Sequence, residues 1–209
     1  MPEKTTRTHP RPLILASGSR HRRVLLERLG QPFAVVAPNL DEVELQGESP
    51  AATARRLAIA KARAVAVAYP DALVIGSDQV ADCDGAALSK PGSHDAARAQ
   101  LAMLSGRSIV FHTTVALIDA ASHRCQLRQV DVVSRFRVLD TTTIESYLLR
   151  ERPYDCAGAV RSESLGIVLF ESIESDDPTA LIGLPLISVV SMLRNEGVDV
   201  LDTPAPGAR

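Results

Sequence analysis

Apolar positions along the chain switch repeatedly between strand-like and helical spacing. Leu13-Ile14-Leu15-Ala16 is an uninterrupted run of strand length; after Ser17-Gly18-Ser19, Val24, Leu25 and Leu29 fall on one helical face, and Gly30 closes it. Phe33 to Ala37, between Pro32 and Pro38, predicts a second strand. Ser49 as N-cap and Pro50 at the first helical position predict a helix to about Tyr69 with Leu57, Ala58, Ala62, Val65 and Ala68 as its stripe. Ala72 to Ala81 opens as a continuous apolar run, which predicts a strand in the middle of a sheet, and Asp84-Gly85 predicts a hairpin turn into Ala87-Leu88. Ser93 caps a helix to Leu104, Ile109 to Asp119 alternates as a half-buried strand, and Leu127 to Leu139 returns antiparallel to it. Thr142 and Glu145 have capping-box spacing for a helix that Arg152-Pro153 ends. A small-residue segment from Tyr154 to Gly166 follows, then a last buried strand from Ile167 to Phe170 and a helix opened by Leu184-Pro185 that runs through Leu193.

These elements predict a mixed α/β domain over residues 13–201, with tails at 1–12 and 202–209. Aromatics are 3% of the 209 residues and Trp is absent, so the core is built from Ala, Val, Leu and Ile. The net charge of -2 gives no electrostatic footprint for nucleic acid. Cys83, Cys125 and Cys156 are too widely spaced for a zinc or disulfide framework, and the first apolar run is too short for a signal peptide or a membrane span. Together they predict a cytoplasmic protein.

Candidate chemistry stands at the ends of the predicted strands. Ser17, Ser19, Arg22 and Arg23 lie around a helix N-terminus, where free N–H groups and the helix dipole suit a phosphate chain; Ser19 as a plain cap beside solvated arginines is the competing reading. Asp41, Glu42 and Glu44 form an acidic loop beyond a strand end, either solvated or offering metal ligands. Lys61 falls close to the apolar stripe of its helix, and either snorkels to the rim or points into a cleft. Asp78 stands inside the central strand, where a carboxylate is costly unless it is paired or holds a cation. His112 and His123 read as a strand and a turn residue, with no other histidine at ligand spacing.

Taken in order, Leu15-Ala16-Ser17 to Arg22-Arg23, Asp41-Glu42, Ala60-Lys61-Ala62, Gly76-Ser77-Asp78-Gln79, Lys90-Pro91, Ser105-Gly106-Arg107, Cys156-Ala157-Gly158 and Gly183-Leu184-Pro185-Leu186 resemble the Maf family of nucleoside triphosphate pyrophosphatases. The resemblance implies a mixed twisted sheet flanked by helices, with two lobes around a cleft, similar to inosine triphosphate pyrophosphatases. It implies a cytoplasmic house-cleaning enzyme, often dimeric, that cuts a nucleoside triphosphate between its α- and β-phosphates with a divalent cation, Mg2+ or Mn2+. By the same resemblance Ser17, Arg22 and Arg23 bind phosphate, Lys61 and Lys90 place charge on it, and Glu42 and Asp78 hold the metal. Asp78 is also the family's proton acceptor, and the residues alone leave both descriptions open. Gln79, Cys156 and Glu163 resemble the branch acting on 7-methylguanosine triphosphate; His21 replaces the Trp of that branch as a stacking surface. The rival readings are a pyrimidine triphosphate pyrophosphatase and a non-catalytic regulator of septum formation.

Overall fold

The computed structural model describes residues 11–43 and 45–202. Glu44 of the acidic loop, and most of both predicted tails, lie outside the described residues. Arg11 and Pro12, assigned by sequence to the first tail, are docked: Arg11 pairs with Asp119 and Glu196, and the Pro12 carbonyl accepts from Leu73 N at 2.8 Å.

Among the described residues the chain forms a seven-stranded mixed sheet flanked by five α-helices. The strands are β1 (Leu13–Ala16), β2 (Ala34–Val36), β3 (Leu73–Cys83), β4 (Ala86–Leu88), β5 (Ser108–Asp119), β6 (Arg124–Phe136) and β7 (Phe170–Glu174). The helices are α1 (Arg20–Glu27), α2 (Pro50–Ala66), α3 (His94–Leu104), α4 (Thr141–Glu151) and α5 (Leu186–Asn195). The sheet runs β2-β1-β3-β5-β6-β7, with β4 hairpinned onto the end of β3. β1 is parallel to both β2 and β3, and the remaining pairs are antiparallel.

The alternation along β3 and β5 decides which helix each residue meets. Even-numbered Val74, Ala116 and Ile118 pack with Ala58, Ala62 and Val65 of α2. Odd-numbered Leu73, Ile75, Val115 and Leu117 pack with Leu25 and Leu26 of α1 and Val189 and Leu193 of α5. Further along the same odd face, Ala81, Cys83, Ile109 and Phe111 meet a separate cluster from α3 and α4. The two apolar clusters on this face part at Ser77, Gln79 and Thr113, which divides the molecule into a first lobe around α1, α2 and α5 and a second around α3 and α4, and Gln79 of this polar seam lines a cleft between them.

Three boundaries differ from expectation, each for a local reason. Asp140, not Thr142, caps α4, accepting from Thr143 N at 2.7 Å; a carboxylate two residues earlier outcompetes the hydroxyl, and Glu145 instead bonds His94. Ile167 to Phe170 is not a buried strand: residues 165–169 form a 3-10 turn with Ile167 and Val168 exposed, and β7 begins only at Phe170. A short apolar run carries no period to separate the two forms. β6 starts at Arg124 and stops at Phe136, where a bulge ends its pairing. His123 does occupy the turn, at φ 59°, and His112 is a strand residue bonded between Asp82 and Asp131. Among the described residues, no helix is long and apolar enough to cross a membrane.

Candidate active site

β1 ends by delivering Ser17, 3% exposed, to the seam end of the sheet. Its hydroxyl accepts from Ser19 N at 3.1 Å, and Ser19 in turn caps α1 by accepting from Arg22 N at 3.4 Å. The first turn of α1 therefore opens, N–H groups first, onto a cleft of about 1290 Å³. The residues that cap α1 are also residues that line the cleft.

Asp78 and Lys61 meet on the wall of this cleft because of a glycine. Gly76 and Asp78 are two residues apart on β3 and share its α2 face. A Cβ on Gly76 would stand 2.4 Å from the Ala58 carbonyl and 2.6 Å from Ala62 N, so α2 lies directly on the strand there. That contact places Lys61, the residue before Ala62, with Nζ 2.7 Å from Asp78 Oδ1 and 2.8 Å from Glu42 Oε2. Lys61 is buried and does not snorkel. Burial pushes the Asp78 carboxyl pKa above its ordinary value, while Lys61 and Arg22 pull the other way. Glu42 reaches the same ammonium from the acidic loop with its side chain 54% exposed. Its loop is fixed by Arg56, which donates to the Val43 carbonyl at 2.9 Å and grips Glu48 through both carboxylate oxygens.

The opposite face of β3 carries Ser77 and Gln79 toward residues 180–183. The Gln79 amide nitrogen is committed to Thr113 Oγ1 and the Ala180 and Leu181 carbonyls, and the residue lines the cleft. The Gly183 carbonyl accepts from Arg22 Nε at 2.8 Å and lies 2.9 Å from the Ser77 hydroxyl. Gly183 has φ 114°, and a Cβ there would come within 3.3 Å of Arg22 Nε. The Gly-Leu-Pro-Leu segment thus seats Arg22 in the cleft. Burial lowers the Arg22 pKa, and Asp78 and then Glu42 counter it.

The second lobe supplies the other wall. Lys90 is exposed and lines the cleft from a loop held by Gln100 Nε2 on the Ser89 carbonyl and by Gly92 N on the Tyr154 carbonyl. Glu163 and His21 also line it, and Oε1 of Glu163 is 2.8 Å from Nδ1 of His21, joining residues 161–166 to the first turn of α1. Cys156 lies along the same wall, and burial pushes its thiol up to about 11, which disfavours the thiolate. Arg23 is not brought to the cleft: it is exposed, bonded to Glu27 at 2.9 Å, and lines a separate groove with Phe33 and Val35.

The structure therefore assembles Ser17, His21, Arg22, Glu42, Lys61, Asp78, Gln79, Lys90 and Glu163 around one cleft. Glu42 and Asp78 converge on one ammonium and offer the hard oxygen donors that Mg2+ or Mn2+ prefer. Among the described residues no set of three His, Cys, Asp or Glu side chains converges, so an ion held by these two carboxylates would need its remaining ligands from outside the chain. Sequence reasoning missed Arg56, Glu48 and Ser77, whose roles depend on contacts that no local spacing reveals.

A family model described as Maf-like protein matches residues 12–196. The 7-methyl-GTP pyrophosphatase of Thiobacillus denitrificans is 54% identical over 200 residues, covering 96% of this chain and 99% of that protein. Proteins of the same name from Burkholderia thailandensis and Methylobacillus flagellatus are 53% identical over 199 residues and 52% identical over 190 residues. These alignments cover 94% and 91% of this chain, and 93% and 99% of those proteins. With a family model matched over residues 12–196 and a relative 54% identical across nearly the whole length of both proteins, the chain belongs to the Maf family.

Proposed function

We propose that this protein is a nucleotide pyrophosphatase that hydrolyses 7-methylguanosine triphosphate to the monophosphate and diphosphate. The observation that carries the reading is Lys61 Nζ held between Asp78 and Glu42 beside Arg22, at a cleft that the N-terminus of α1 opens onto. Carboxylates and cations alternating in this way suit a polyanion attacked by water.

The triphosphate lies against the α1 N-terminus and Ser17, with Arg22, Lys61 and Lys90 meeting its charge. Lys61 occupies Oδ1 of Asp78, so Oδ2 is the oxygen that takes a proton from the attacking water. The new P–O bond forms to that water as the α–β bridging bond breaks, and its electron pair leaves with the diphosphate. Glu42 and Asp78 would hold Mg2+ or Mn2+ against the phosphates, and such an ion neutralises their charge when bound. Arg23, turned away toward Glu27, is left with a long-range electrostatic role at most.

At the base end, the Glu163 carboxylate accepts the two N–H donors on the Watson–Crick edge of guanine, and pyrimidines lack that pair. His21 stacks on the ring, and the Gln79 carbonyl supplies a further acceptor. The shared name of the relatives supports this choice of base. The three free cysteines support a cytoplasmic location, and the family resemblance supports a homodimer, which light scattering on the purified protein tests.

Product identity tests the reaction. Phosphorus NMR of the quenched reaction should show monophosphate and diphosphate appearing in equal amounts. Release of inorganic phosphate with nucleoside diphosphate would overturn the reading. Glu163→Gln should weaken discrimination between guanine and uracil triphosphates by about 1–3 kcal/mol, since one acceptor of the pair becomes a donor.

A further inference from the structure

Residues 161–166 carry Glu163, yet they belong to no strand or α-helix, and their shape has one organiser. The Glu151 carboxylate, 12% exposed at the last residue of α4, accepts from Arg161 Nη1 at 3.0 Å, from the Ser164 hydroxyl at 2.7 Å and from Leu165 N at 3.1 Å. These donors stand on both sides of Glu163 in the chain. Around them, Arg161 N donates to the Tyr147 hydroxyl at 3.1 Å, and Gly166 N donates to the Arg161 carbonyl at 3.0 Å. A Cβ at Gly166 would lie 2.4 Å from that carbonyl, so the turn closes directly on itself. Arg161 also reaches Asp155 at 3.1 Å, which ties the turn to the segment carrying Cys156.

We infer that Glu151 is a positioning residue for substrate selection: it clamps the turn so that the Glu163 carboxylate is presented to the base, with His21 steadying it from α1. The inference rests on the proposed base-reading role of Glu163. Glu151 forms part of the cleft wall, but its carboxylate is spent on the turn, and its effect on substrate passes through Glu163. A carboxylate with three donors satisfied on neighbouring backbone and side chains holds a loop more tightly than a single contact would. The phosphate end has separate supports, Gly76, Gly183 and the α1 cap, none of which touches Glu151.

That separation gives the test. KM and kcat for 7-methylguanosine triphosphate, and the inhibition constant of inorganic tripolyphosphate, are measured on wild type, Glu151→Gln and Glu151→Ala. Tripolyphosphate has no base and reads only the phosphate end. The inference predicts that Glu151→Ala raises KM about tenfold or more while the tripolyphosphate constant moves less than about twofold. Glu151→Gln, which keeps an acceptor for Ser164 or Leu165, should fall between wild type and Ala. An unchanged KM in both variants overturns the inference, as does a parallel loss of tripolyphosphate binding in a variant whose circular dichroism and thermal midpoint match wild type. If Glu151→Ala does not fold, Glu151→Gln alone decides by the same split. Wild type that leaves 7-methylguanosine triphosphate intact overturns the proposed function itself, and is told apart because no variant is involved.

Discussion

Asp78 and Lys61 show how one contact sets the chemistry of a group. Burial raises the Asp78 pKa and a bound divalent ion would lower it, so the comparison that isolates Lys61, whose ammonium also opposes the rise, is the acid limb of kcat/KM at one fixed Mg2+ concentration. Lys61→Met removes the opposing cation. The limb should then move to higher pH and kcat/KM should fall by roughly 100-fold, and a pH profile of both proteins checks each point. A limb unmoved by Lys61→Met would mean that Asp78 is not the titrating base. Asp78 was legible in the sequence because a charge inside an apolar strand is itself a signal. Lys61 was only half legible: its place near the stripe left two readings open, and the partner that excludes snorkelling comes from another element.

At the scale of elements, the site depends on how closely α2 approaches β3 and on what holds the acidic loop. Gly76→Ala forces a methyl against the Ala58 carbonyl and Ala62 N, backbone atoms that cannot swing aside. It should cost about 1–3 kcal/mol in urea unfolding, and activity should fall further than stability as Lys61 is displaced from Asp78. In the acidic loop, Arg56 draws the Glu48 pKa down to about 2, chiefly through their hydrogen bonds. A depressed carboxylate contributes stability that is present above its ordinary value of 4.5 and is lost as pH falls toward about 2. The loop should therefore loosen in acid. Arg56→Ala should raise the Mg2+ concentration needed for half-maximal activity by freeing Glu42, while the Lys61–Asp78 pair keeps its geometry; a metal titration checks this. The period of each helix and strand was readable, as were the caps at Ser49 and Ser93, because those signals are local. The cap at Asp140 and the 3-10 turn at 165–169 were not, because adjacent residues offered two solutions of similar local merit.

Over the whole molecule, the cleft exists because one face of the sheet changes helical partners partway along its strands. Parity on β3 and β5 sends odd residues to α1 and α5 at one end and to α3 and α4 at the other. Where the two clusters part, polar Ser77, Gln79 and Thr113 take over, and the loops from both lobes meet there. A nucleotide contacting both lobes should stiffen the pair. The monophosphate product at 100 times its Kd should add about 2.7 kcal/mol to the stability of wild type, read as a shift in thermal midpoint. In the sequence, this cleft was legible only through the resemblance of the motifs to a known family. The supports provided by Arg56, Gly183 and Glu151 required the folded chain, since each links positions that share no spacing rule. The central claim is that Asp78 serves hydrolysis of a methylated guanosine triphosphate, and the most direct measurement is pyrophosphate release by the purified protein. It is run with Mg2+ and separately with Mn2+ on 7-methylguanosine, guanosine, thymidine and uridine triphosphates, with Asp78→Asn alongside. The account predicts preference for the methylated guanosine nucleotide and a loss of at least about 100-fold in Asp78→Asn. Turnover that survives Asp78→Asn, or no turnover of any triphosphate by wild type, would contradict it.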